Sequence, residues 1–322
     1  MFSTLADALA HNRETQNSVL DLGKLGLKGH EPELEQLQEF FWVEVLNFSN
    51  GWLNARQQAW IDSPNKGAKN KLAYLPSCLP SNLQTLHLSE QKIHDFSFLQ
   101  GLTSLTTLDL NANGILDFSF LQGLTSLTTL DLSYNQITDF SFLQGLTNLS
   151  SLDLSHNRIT DISFLQGLTN LTALKLSANQ ITDISFLQGL TNLTSLDIGT
   201  NEITDIYLLA GLTGLTTLSL SSNEVIDFSF LAGLTALTSL DLSYNQITDI
   251  SFLQGLTNLT TLDLRDNQIH DISFLQSLAS LTKLNLRYNQ ITDFSFLQSL
   301  ASLAYLVVPY ELCLPNNILF LA

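Results

Sequence analysis

The chain has 322 residues, with 13 basic and 30 acidic side chains and a formal net charge of -17. A surface this acidic repels phosphate backbones and anionic lipid, which argues against nucleic acid or a membrane as main partner and for a protein with a basic patch. The excess is uneven: residues 1–82 hold seven basic and nine acidic residues, leaving most of the negative charge to the remainder.

The opening stretch, MFSTLADALAHNRETQ, places Phe2, Leu5 and Leu9 on one face of a short helix, with Ser3 as its expected N-cap. It has neither a basic n-region nor a long apolar h-region, and no apolar run in the chain approaches bilayer length, so a cytoplasmic protein is expected. In VLDLGKLGL, Leu20, Leu22, Leu25 and Leu27 predict a strand and its exit turn. After Pro32 the spacing of Leu34, Leu37, Phe40 and Phe41 predicts a helix, and Val43, Leu46 and Phe48 resume the strand pattern. Residues 1–82 therefore read as an N-terminal cap of two degenerate repeats with a surface loop. The segment Asn50 to Asn82 is that loop, and its Lys66, Lys69 and Lys71 read as a solvated cluster.

From Leu83 a 22-residue unit recurs, typified by LTSLDLSYNQITDISFLQGLTN at 237–258. Its leading leucine returns at Leu105, Leu127, Leu149, Leu171, Leu193, Leu215, Leu237, Leu259, Leu281 and Leu303. The pattern L-x-x-L-x-L-x-x-N-x-I at this period is the signature of a leucine-rich repeat. The expected fold is α/β: a leucine-rich repeat solenoid forming a curved right-handed arc, with a parallel β-sheet on the concave face and short helical turns on the convex face. Ten regular repeats occupy 83–302. Residues 303–322 form a partial eleventh repeat and a C-terminal cap, in which Leu312, Leu314, Ile318, Leu319, Phe320 and Leu321 cover the open end. Cys78 and Cys313 flank the array, and ten strand spacings of about 4.8 Å put them beyond reach of a disulfide. Free thiols fit a reducing compartment.

Within each repeat, positions one, four and six point inward. Position nine is Asn in nine of the ten full repeats, with Gln91 as the departure, and stacked copies of this amide predict a hydrogen-bonded ladder along the array. An Asp at position thirteen recurs from Asp95 to Asp293 and reads as a cap for the convex helical turn. Phe at positions fourteen and sixteen forms an internal aromatic spine.

Positions three, five, seven and eight are expected to line the concave face. The fifth column reads His87, Asp109, Asp131, Asp153, Lys175, Asp197, Ser219, Asp241, Asp263, Asn285 and Val307. Three successive aspartates, roughly 5 Å apart, would welcome a basic partner, while no oxygen cage for a dedicated cation is visible and no metal site is assigned. The eighth column carries Tyr134, His156, Tyr244, Asp266 and Tyr288, and tyrosine on an exposed sheet is a favoured interface anchor. Near the C-terminal end Arg265, Lys283 and Arg287 join Tyr244, Tyr288 and Tyr305 in a basic and aromatic corner. The candidate partner-binding residues are thus Asp131, Tyr134, Asp153, His156, Asp241, Tyr244, Arg265, Asp266, Lys283, Arg287, Tyr288 and Tyr305. The six histidines share no metal or triad spacing, so no catalytic residue and no cofactor is assigned.

The unit NQITDISFLQGLTNLTSLDLS resembles the 22-residue class of repeats in bacterial internalins and phosphatase regulatory subunits, over about residues 83 to 308. The head, with LDLGKLGL, LEQLQEFFWVEVLNFSNGW and NKGAKNKLAYLP, resembles the N-terminal repeats of cyanobacterial Roco and related multidomain signalling proteins. Such proteins continue into a GTPase or other switch domain, whereas this sequence holds no G-x-x-x-x-G-K-[ST] loop. Both resemblances imply a non-enzymatic protein-interaction module. The alternative they leave is a structural spacer, or the sensor region of a signalling protein.

Overall fold

The computed structural model describes residues 2–54, 59–65, 68–75 and 79–308. Cys78, Cys313, Lys66 and the residues assigned to the C-terminal cap lie outside the described residues. The chain folds as two compact units, one ending at Arg158 and one beginning at Ile159.

The first unit opens with the helix Leu5–Thr15, which buries Leu5, Ala8 and Leu9. Its N-cap is Thr4, not Ser3: the Thr4 hydroxyl accepts the N–H of Asp7 at 3.2 Å. The strand Val19–Asp21 then pairs in parallel with Val45–Asn47. Between them Pro32–Glu39 forms a 3₁₀ helix rather than an α-helix; Leu34, Leu37 and Phe40 are buried, while Phe41 is left exposed. A tighter coil suits the short path back to the next strand. Four regular strands follow, Thr85–His87, Thr107–Asp109, Thr129–Asp131 and Ser151–Asp153, each in register with the last.

The stretch after Asn50 is only partly a surface excursion. It makes an antiparallel hairpin, Gly51–Asn54 with Ala59–Asp62, and then returns to the repeat path. Asn70 takes the ladder position of the second repeat: its Nδ2 donates to the carbonyls of Leu22 at 2.8 Å and Phe48 at 2.9 Å, and its Oδ1 accepts the N–H of Leu27 at 2.9 Å. Leu72, fully buried, stands where later repeats carry Ile. The returning backbone lies so close to Gly29 (φ +101°) that a Cβ there would strike the Tyr74 carbonyl.

The second unit repeats the regular pattern. Its strands Ala173–Lys175, Ser195–Asp197, Thr217–Ser219, Ser239–Asp241, Thr261–Asp263, Lys283–Asn285 and Tyr305–Val307 pair in parallel and in register. Opposite each strand lies a 3₁₀ turn such as Ser251–Gly255, and the leucines between are almost wholly buried. Each such leucine contributes roughly 1.5–3 kcal/mol by leaving water.

Three side-chain ladders knit neighbouring repeats. In the asparagine ladder, Asn135 Nδ2 donates to the carbonyls of Leu110, Leu132 and Ser133, and its Oδ1 accepts the N–H of Ile115 from the preceding repeat. All ten aspartates at position thirteen accept the N–H two residues on, as in Asp249 to Ser251 at 2.8 Å, and so cap the 3₁₀ turns. A third ladder escaped the sequence reading. At position two, hydroxyls reach back to the preceding repeat's carbonyl, for example Thr216 to Thr194 at 3.0 Å and Thr238 to Thr216 at 3.1 Å. In the aromatic spine, position fourteen stacks on position sixteen of the next repeat, as Phe118 does on Phe142 at 5.2 Å.

Candidate interaction face

On a strand of three residues, the middle one points into the core and the outer two point to solvent. Positions three and five of each repeat therefore share the strand face. In the first unit the register sets Asp109, Asp131 and Asp153 side by side on adjacent strands. Each holds the backbone two residues on: Asp109 accepts from Asn111 at 3.0 Å, Asp131 from Ser133 at 2.9 Å and Asp153 from Ser155 at 3.0 Å. Asp109 also faces His87, its register partner on the preceding strand, at 3.5 Å.

Among the described residues Asp131, between two other carboxylates, has the most perturbed proton affinity. Burial pushes its carboxyl up, the charges of Asp153 and Asp109 push it further, and the Ser133 hydroxyl and N–H oppose both; the balance lies at about 7 against an ordinary 3.8. Ser133 is itself held by Asn111, whose Nδ2 donates to the Ser133 Oγ at 2.6 Å. Among the described residues no group of three or more His, Cys, Asp or Glu is placed to hold a metal ion.

Position eight has a backbone feature that the sequence did not show. Every copy from Glu90 to Tyr288 is in the left-handed region, with φ between 51° and 59°, although none is Gly or Asn. Within each unit the turn aims such N–H groups at the next repeat, as Tyr134 to the Ser155 carbonyl at 3.0 Å and Tyr244 to that of Arg265 at 2.9 Å. It also throws the side chain clear of the sheet. Tyr134, 56% exposed, lies flat against His156 with ring centroids 3.9 Å apart and planes 13° from parallel. A flat aromatic shelf therefore stands beside the carboxylate row.

The seventh column departs from expectation. Four of its serines, Ser89, Ser133, Ser155 and Ser243, are buried at the strand exit, while Ser177 and Ser221 are half-buried.

In the second unit Arg265 and Arg287 occupy this column, and each meets a tyrosine of the eighth column. The Arg265 guanidinium lies 4.9 Å from the Tyr244 ring centroid, and that of Arg287 lies 4.6 Å from Tyr288. Tyr244 and Tyr288 stay about half exposed. Arg265 also approaches Asp263, Nε to Oδ2 at 3.6 Å. Burial raises the Asp263 carboxyl, the Arg265 N–H opposes this and Asp241 on the adjacent strand adds to it. Lys283 pairs in register with Tyr305, and both are exposed, as is Asp266. Part of the positive charge of the corner is thus balanced within it. Tyr207 and Ile226, also exposed, lie off the strand face, where they replace the Ser and Thr of most other repeats.

Among the described residues no helix is long and apolar enough to cross a membrane. No curated protein sequence matches the chain. Among solved structures, an internalin from Listeria monocytogenes is 32% identical, covering 91% of this chain and 88% of its own, with a TM-score of 0.71. Internalin C2 of the same organism is 39% identical over 59% of this chain and 83% of its own, with a TM-score of 0.55. A Leptospira interrogans leucine-rich repeat protein, 23% identical over 96% of this chain and 95% of its own (TM-score 0.65), shares the fold. The model of leucine-rich repeats in two copies matches at residues 81–123, 125–167, 169–211, 191–233, 213–255, 235–277 and 257–299. With more than half of its length matched, and with the ladders and turns of that repeat in place, the chain belongs to the leucine-rich repeat family.

Proposed function

We propose that the chain is a non-enzymatic protein-interaction module whose strand face receives a basic segment of a partner protein. Leucine-rich repeat proteins mediate protein–protein interaction through the broad surface that stacked repeats display. The observation that carries this reading is the row Asp109, Asp131 and Asp153 beside the Tyr134–His156 shelf. Asp131 holds a proton near neutral pH because its surroundings disfavour its charge. A lysine or arginine brought to this row by a partner relieves the repulsion and releases the proton, while the tyrosine supplies apolar contact area. Binding then tightens as pH rises through about 7.

The test compares variants as bait in a native lysate at pH 6 and pH 8. Tyr134→Ala with Asp131→Asn is expected to lose a partner that Gln144→Ala, on the helical-turn side, retains. Wild type is expected to capture more of that partner at pH 8. Equal retention by both variants sinks the proposal. Tyr244→Ala with Arg287→Glu tests the corner of the second unit in the same way.

A further inference from the structure

Because the repeats are near copies, departures from the shared unit are visible one by one, and a group of them gathers away from the strand face. Position ten is Gln in five repeats, position twelve is Thr in six and position fifteen is Ser in nine. Two adjacent repeats break this pattern together, with Glu202 and Glu224 at position ten, Ile226 at position twelve and Tyr207 at position fifteen.

The structure puts these residues on one edge. Positions nine and eleven, Asn201 with Ile203 and Asn223 with Val225, are buried, so positions ten and twelve alternate outward. The N–H of Glu224 donates to the Ile203 carbonyl at 3.2 Å, holding the two extended segments side by side. Ile226 is 90% exposed and Tyr207 is 69% exposed. Between them opens a shallow cleft of about 120 Å³ that reaches buried Ile206 and Phe230 and is rimmed by Asp205 and Asp227. Leu116 is likewise exposed at position twelve in the first unit, but its repeat and the one before keep Ser119 and Ser97.

Charge narrows the choice of occupant. From Leu176 to Leu264 the sequence has no Lys, Arg or His and nine acids, including Asp183, Asp205, Asp227 and Asp249 on this edge. The Ser229 N–H, 2.8 Å from the Asp227 carboxylate, helps hold that group below its ordinary range, so Asp227 stays charged. An anionic lipid surface or an acidic segment is repelled. A second copy would bring its own Asp205 and Asp227 against these, and a purely apolar segment would strip water from carboxylates without replacing it.

We propose that this edge is a second docking site, separate from the strand face, for a segment of a partner protein in which an apolar side chain is flanked by lysine or arginine. The apolar side chain enters between Tyr207 and Ile226, and the cations meet Asp205, Asp227, Glu202 and Glu224. Tyrosine is the kind of anchor from which interfaces draw most of their affinity, and Ile226 adds apolar area that docking removes from water.

The test uses fluorescence anisotropy with a labelled synthetic peptide of alternating lysine and leucine, at about 0.15 M salt to screen diffuse attraction. Tyr207→Ser with Ile226→Thr restores residues that the other repeats carry and therefore preserves the fold; it is expected to weaken binding about tenfold. Glu202→Gln with Glu224→Gln, again residues of the shared unit, is expected to weaken it several-fold. Glu14→Gln with Glu35→Gln removes equal charge elsewhere and is expected to leave binding unchanged. Unchanged affinity in the Tyr207→Ser/Ile226→Thr variant, or no binding by wild type, overturns the proposal. Loss of a wild-type dimer on that substitution, read by light scattering, also overturns it and assigns the edge to contacts between copies of the chain.

Discussion

Asp131→Asn is expected to stabilise the protein at pH 8 and to do little at pH 4.5. In the folded chain the Asp131 carboxyl is raised from 3.8 to about 7 by burial and by Asp153 and Asp109. Below pH 4 both folded and unfolded chains hold the proton, and the residue carries no electrostatic penalty. Between about 4 and 7 the unfolded chain releases it while the folded chain keeps it, so wild-type stability falls as pH rises; above 7 the penalty is complete. At 1.36 kcal/mol for each tenfold change in proton affinity the ceiling is about 4 kcal/mol, and relaxation of the neighbouring acids brings the expected gain to about 1–3 kcal/mol. Asn keeps the Oδ1 that accepts the Ser133 N–H, so the local turn survives the substitution. Urea midpoints for both proteins at pH 4.5, 6 and 8 should diverge with rising pH. A difference that is constant across pH, or a less stable variant at pH 8, would refute the reasoning.

Further outcomes follow from the ladders. Asn201→Ala removes donors to the carbonyls of Leu176, Ile198 and Gly199 and the acceptor of the Ile181 N–H, and should cost about 2–4 kcal/mol in urea unfolding, with faster amide exchange at Ile181. Thr200→Asn should stabilise by up to about 1 kcal/mol, because Thr200 is β-branched at a φ of 53° and Asn is favoured in that region. Asp271→Ala, which removes the acceptor of the Ser273 N–H, should shift the midpoint down at pH 8 and less at pH 3, opposite in sign to Asp131→Asn. Leu240→Ala, at a buried strand position, should cost about 2–5 kcal/mol.

Much of the fold was legible because one period fixes everything that neighbouring copies share. The inward leucines, the asparagine ladder and the aspartate caps follow from column identity, since a residue type that recurs every 22 positions meets its own copies in space. Features that no residue type announces were hidden. The left-handed backbone at position eight is occupied by Tyr, His, Ala, Thr, Ser, Asp and Glu, none of which marks that conformation as Gly or Asn would. Burial of Ser243 was hidden because a polar residue beyond an alternating strand reads as exposed, while the chain has already turned there. The return of Asn70 to the ladder crosses a hairpin, so spacing could not reveal it. Of the candidate site, the carboxylate row and the basic corner were readable as columns. The stacking of Tyr134 on His156 depends on side-chain direction, and Tyr207 and Ile226 meet only once neighbouring repeats are stacked, off the strand face.

The central claim, that the strand face receives the partner, is tested most directly by site-specific photo-crosslinking within the first unit. A benzophenone side chain at Tyr134 is expected to trap a basic partner from native lysate, more at pH 8 than at pH 6, while the same probe at Gln144 on the helical-turn side traps none of it. Equal trapping at the two positions, or trapping at Gln144 alone, would contradict the account.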